Sequence, residues 1–188
     1  MQLADEEKRE LLRIARASID AAIKGDPPVG NTTERESLRQ PSGVFVTLRA
    51  EGELRGCIGY VEPRLPLFQA VAEVAVKSAF EDPRFAPLSI AELPSTEIEI
   101  SVLSPLSRVT DMSSIEVGRH GLVIDAGYTR GLLLPHVATE YLWDREQFLD
   151  HTALKAGLPP EIWRTGKVQV FSFTTTTFSE SELLQPHK

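Results

Sequence analysis

The sequence predicts an α+β fold, a mixed or antiparallel sheet with flanking helices. Three observations point to it. Residues 5–24 and 66–81 repeat apolar side chains at helical spacing, whereas 43–50 and 97–102 alternate as strands do. Glu51-Gly52-Glu53 links two strand patterns through a tight turn, which makes an antiparallel hairpin. Helices and hairpins are interspersed rather than strictly alternating, so a parallel α/β sheet is the poorer description. At 188 residues the chain fits one domain over 1–188, with room for two subdomains and a substantial core.

Taken in order, Leu11, Leu12, Ala15, Ile19, Ala22 and Ile23 form the apolar stripe of the first helix, which Gly25-Asp26-Pro27 stops. Residues 26–43 are polar and rich in Pro, Gly, Thr and Ser, longer than most connections, and read as a flap or a mobile loop. In the first strand Val44, Val46 and Leu48 share a face. Residues 66–81 are apolar almost all round, with one polar stripe at Gln69, Glu73, Lys77 and Glu81, the pattern of a buried helix covering a sheet. Asp82-Pro83 breaks it, and short helical turns fall near Ala91–Pro94 and Met112–Val117. Leu122–Asp125 and Leu132–Leu134 form a second hairpin around Gly127–Gly131. A helix over 145–155 is capped by Asp144 and ended at Gly157. Residues 167–178 read as one long strand whose apolar phase switches, which suggests a bulge.

Composition excludes several functions. A net charge of −7 and basic residues scattered along the chain argue against a nucleic-acid-binding face. One cysteine rules out an intrachain disulfide and suits a reducing compartment, so a cytoplasmic location is expected. No apolar run approaches ~18 residues, so no transmembrane helix is expected. Cys-rich or His-x-x-x-His metal spacing is absent from the sequence, so no metal site is expected. The glycine-rich nucleotide loops are absent too, so nucleotide binding through them lacks support, and the sequence names no cofactor.

The chemistry concentrates in Leu54-Arg55-Gly56-Cys57-Ile58-Gly59. Strict alternation sends Leu54, Ile58 and Tyr60 to one face and Arg55 and Cys57 to the other. Gly56 and Gly59 open space for another backbone or a ligand, and the Arg55 guanidinium beside the thiol favours thiolate. Equally, a lone cysteine is often a small buried hydrophobe, and Arg55 can form a salt bridge that orients the hairpin. Asp82 and Arg84 suit a structural ion pair or a substrate contact. His120 suits proton transfer or a cap. His151, on a helix's outer part, and His187, in the tail, read as exposed.

This hexapeptide resembles the signature of the AMMECR family. Gly43–Leu48, Asp82–Leu88, Glu99–Leu103, His120–Leu122, Arg130–Pro135, Trp143-Asp144, Lys155–Leu158 and Trp163 are similar to the family's further blocks, in order. The resemblance implies a larger and a smaller subdomain around a cleft holding the signature, with no settled reaction. It also implies a component of the AmmeMemoRadiSam system, with a Memo-like protein and a radical S-adenosylmethionine protein as partners. At His136 the resemblance implies a carboxamide or carboxylate in many members, so it carries no family-wide role for that imidazole. Two readings stand. In one, Cys57 is a nucleophile or carrier with His120 as acid/base, and Arg55, Gly56, Gly59, Asp82 and Arg84 hold substrate. In the other, the chain is a binding or adaptor module whose signature is structural.

Overall fold

A computed structural model describes residues 3–27 and 32–184. It divides the chain into two compact units, one running to Leu103 and resuming at Thr176, the other Ser104–Thr175. In the first unit lie helix α1 (Asp5–Lys24), helix α2 (Glu36–Arg39), strands β1 (Val44–Ala50) and β2 (Glu53–Tyr60), helix α3 (Leu67–Phe80) and strand β3 (Thr96–Leu103). The second holds β4 (Ser107–Arg108), β5 (Gly121–Asp125), β6 (Arg130–Leu133), helices α4 (Pro135–Glu140) and α5 (Arg145–Lys155), and β7 (Gln169–Phe173). Strand β8 (Thr175–Ser179) and helix α6 (Glu180–Leu183) return to the first. Each unit builds its own four-stranded sheet, ordered β2-β1-β3-β8 and β4-β7-β5-β6. No helix among the described residues is long and apolar enough to cross a membrane.

The core of the first unit follows from the two apolar patterns. Val44, Val46 and Leu48 on β1 and Ile98 and Ile100 on β3 bury one sheet face, with α3 packed on β1 and β2 and α1 reaching β3. On α3, Ala70, Ala75, Ser78 and Ala79 keep the helix thin enough to lie close, and its polar stripe ends in Lys77 pairing with Glu73 and Glu81. Leu11, Leu12, Ala15 and Ile19 of α1 join the same core, where α1 packs against α3 and also reaches β3. Acidic Asp5, Glu6 and Glu7 at its first turn and left-handed Gly25 at its end fix the bounds of α1.

Three expectations need correction. The 26–43 connection contains α2, whose Leu38 is fully buried in the core; this single apolar residue on four helical positions leaves no periodicity to read. Residues 28–31 lie outside the described residues. The 167–178 stretch is two strands in two sheets rather than one bulged strand. Val170 packs in the second unit's core and Phe178 in the first's, so the phase switch marks a change of sheet. At the crossing, Ser104 and Thr174 bond each other twice, N–H to carbonyl at 2.9 Å and hydroxyl accepting from N–H at 3.0 Å. His151 is not a free surface residue. Its ring stacks on Trp143 at 3.7 Å, and Trp143 stacks on Tyr141 at 4.9 Å. His187 lies outside the described residues.

The C-terminal α6 is held by Arg16 of α1. That guanidinium pairs with Glu180 through two bonds and donates to the carbonyls of Leu93 (2.7 Å) and Thr96 (2.6 Å). Glu180 in turn accepts from Ile98 N–H at 2.9 Å. Arg16→Ala should therefore lower stability by about 2 kcal/mol, since it strands a mostly buried carboxylate and two carbonyls. Denaturant titration checks this; an unchanged midpoint would sink the clamp.

Candidate functional site

The signature occupies β2, an edge strand of the first sheet. Val44 pairs with Tyr60, Val46 with Ile58, Thr47 with Cys57 and Leu48 with Gly56, but Arg49 pairs with Leu54. Arg55 is thus an extra residue, a bulge that resets the alternation. Leu54 consequently shares the register of Arg49 and is exposed, instead of lying with Ile58 and Tyr60 on the core face as strict alternation predicts.

Each glycine is filled by the protein itself. A Cβ on Gly56 would stand 2.2 Å from the Ser78 carbonyl oxygen of α3. One on Gly59 would stand 2.3 Å from the Phe45 ring across the ladder. The helix approaches so closely that the Ser78 hydroxyl bridges the Val46–Ile58 pair. It accepts from Ile58 N–H at 3.0 Å and donates to the Val46 carbonyl at 2.8 Å.

The end of α3 delivers Asp82 to β2. Asp82 is buried and accepts the Cys57 N–H at 2.8 Å. Arg84 Nε and Nη2 clasp its two oxygens at 2.9 and 2.7 Å, and Arg84 N–H adds a bond at 3.1 Å. The Arg84 guanidinium holds the Asp82 carboxyl well below the usual carboxylate range, against the opposing effect of burial; the Cys57 and Arg84 N–H groups add to the shift. Arg84 Nη2 also lies 3.5 Å from the Cys57 carbonyl. The structure thus brings Asp82 and Arg84 to the Cys57 strand, where they form an ion pair with each other.

The thiol behaves differently from the sequence expectation. Burial pushes Cys57 up from the ordinary thiol value, outweighing the Thr47 hydroxyl, whose Oγ1 is 3.4 Å from Sγ, and the charge of Arg84. Arg55 is not the cation that acts on it. Its guanidinium goes to Glu92, Nε at 2.9 Å, and draws that carboxyl down to about 2, helped by Ser89. Phe85 is the shared neighbour, its ring centre 5.8 Å from the Arg55 guanidinium carbon and 5.4 Å from that of Arg84.

The remaining candidates belong to the second unit. His120, half-buried, accepts the Glu116 N–H on Nδ1 at 3.0 Å and closes the turn before β5. His136 is exposed on α4. Among the described residues no three His, Cys, Asp or Glu side chains group to hold a metal. Thr47, Ser78 and Glu92, which complete the Cys57 cluster, were missed from the sequence. Thr47 was findable, since the hairpin turn sets it opposite Cys57; the other two meet β2 only in three dimensions.

Comparison with known proteins agrees with this architecture. The AMMECR1 family model matches residues 12–178. A protein from Methanothermobacter thermautotrophicus is 43% identical over 185 residues, covering 95% of this chain and 96% of the relative. One from Methanocaldococcus jannaschii is 41% identical, covering 94% and 92%. The crystal structure of an uncharacterised protein from Pyrococcus horikoshii superposes with a TM-score of 0.87 at 38% identity, covering 95% of this chain and 93% of that one. Sequence blocks, length and fold therefore coincide along nearly the whole chain, which belongs to the AMMECR1 family.

Proposed function

We propose that this AMMECR1-family chain is a non-catalytic binding module whose Leu54–Gly59 signature is structural, and that it works in the cytoplasm with a Memo-like protein and a radical S-adenosylmethionine protein. One observation carries the reading: the signature's two glycines, the Cys57 N–H and the Nε–Nη2 edge of the Arg55 guanidinium already have internal partners. Arg55 Nη1 is the one buried side-chain polar atom among the described residues without one. Gly56 receives the Ser78 carbonyl, Gly59 the Phe45 ring, Arg55 the Glu92 carboxylate and the Cys57 N–H the Asp82 carboxylate. A nucleophilic thiol needs a base or cation aimed at sulfur. Here burial dominates and keeps the proton on sulfur. The partners follow from the family resemblance alone.

The enzyme reading, with Cys57 as nucleophile and His120 as acid/base, has one observation in its favour. Arg84 lowers the thiol value, though by less than burial raises it. Alkylation by a small reagent against pH separates the two, with Cys57→Ser as the unreactive control. Binding-module chemistry predicts slow reaction in the native protein, with a half-maximal rate above the reference of about pH 8.5. Rapid alkylation at neutral pH that slows in Arg84→Ala would overturn it in favour of catalysis. Calorimetric titration with a purified Memo-like protein tests the partner; absence of a complex removes that assignment.

A further inference from the structure

In this acidic chain nearly every cation sits on an acid or a carbonyl. Among the described residues, only Arg13, Arg108, Lys155 and Lys167 have side chains without an ion-pair or hydrogen-bond partner. Two of these, Arg108 and Lys167, line one cavity of about 340 Å³ built wholly from the second unit.

The sheet register explains why they meet. Arg108 on β4 pairs with Phe171, and Asp125 on β5 pairs with Gln169, so β7 carries both neighbours on the face opposite Val170 and Ile124, which are in the core. Gly166, left-handed at φ 71°, turns the chain just before Lys167, and Gly127, at φ 85°, turns it after β5. A Cβ at either glycine would meet nothing within 4 Å, so the rim is open. The one carboxylate in the cavity is already engaged. Asp125 accepts the Gly127 N–H at 2.7 Å on one oxygen and Arg130 on the other, which leaves the charges of Arg108 and Lys167 uncompensated.

We propose that this cavity binds the phosphate group of a small phosphate monoester. Two uncompensated cations match a dianion, and the Gln169 amide adds a neutral hydrogen-bonding group. The volume is at the low end for small-molecule sites, enough for a phosphorylated sugar. The net charge of −7 opposes a long polyanion, which separates this ligand from nucleic acid.

The test titrates the ¹⁵N-labelled full chain with ribose 5-phosphate, inorganic phosphate, ribose, and sodium chloride at matched ionic strength. Saturable shifts of the Gly127, Gly166, Lys167 and Gln169 amides are expected with ribose 5-phosphate, and weaker ones at the same residues with inorganic phosphate. Arg108→Ala and Lys167→Ala should each weaken binding roughly ten-fold, as loss of one charge-assisted contact does. Arg13→Ala and Lys155→Ala, which remove equal charge elsewhere, should leave it unchanged. All four residues are exposed or on the surface, so folding is preserved and circular dichroism checks it. Equal shifts with chloride, or equal loss in the Arg13 and Lys155 variants, would overturn the site as non-specific charge. Binding of a ten-nucleotide single strand without binding of ribose 5-phosphate would overturn it in favour of nucleic acid.

Discussion

Gly56→Ala should be the most damaging single substitution in the signature, costing at least about 3 kcal/mol, the upper range for overpacking a rigid site. The new methyl meets the Ser78 carbonyl at 2.2 Å, a backbone atom of a helix packed on β1 and β2 and against α1. Relief requires α3 to lift, which breaks the Ser78 bridge to Val46 and Ile58 and opens the best-buried layer of the unit. Gly59→Ala is the informative comparison. Its methyl meets the Phe45 ring, a side chain that can swing aside, so a smaller loss of about 1 kcal/mol is expected. Urea titration of both variants decides the matter. Equal losses, or a mild Gly56→Ala, would show that the glycine serves something other than the approach of α3.

Asp82→Ala should cost about 3 kcal/mol, visible as a drop in midpoint temperature on the order of 6–12 °C. The loss comes from a Cys57 N–H left without its acceptor, together with the bidentate partner of Arg84; Arg84 itself is half-exposed and turns to water. The pH dependence has a definite sign. The Asp82 value is depressed on folding, chiefly by Arg84, so its contribution is fully present above the unfolded value of about 3.9 and is lost as pH falls through the folded value. The difference between wild type and Asp82→Ala should therefore be constant at neutral pH and shrink progressively below about pH 4. Differential scanning calorimetry between pH 7 and pH 3 checks it. A difference that stays constant down to pH 3 would mean the carboxylate charge is not what stabilises the loop.

Strong periodicity made much of this architecture legible in advance. α1 is found at Asp5–Lys24, α3 at Leu67–Phe80, and α5 at Arg145–Lys155 behind its Asp144 cap, which accepts from Gln147 N–H at 2.9 Å. Each is long enough for an apolar stripe to repeat or carries its own cap. The short helices α2, α4 and α6 escaped because four to six residues hold too little pattern, and tertiary burial of residues such as Leu38 stabilises them instead. The Arg55 bulge was equally invisible. It moved Leu54 off the core face and, with Glu92 waiting in a later loop, took the guanidinium away from the thiol.

By itself the sequence determined the α+β class, the hairpin that carries Cys57, the break at Asp82-Pro83 and the family, because local spacing and ordered blocks record those directly. Only the tertiary structure decided what the signature residues touch. Whether a glycine admits a ligand or a helix backbone, and whether a thiol feels a cation or only burial, depends on elements 20 to 37 residues away in the chain. Ser78, Asp82 and Glu92 reach β2 because α3 crosses the sheet and ends above its edge. That packing is a sum of many apolar contacts, and no motif of six residues encodes it.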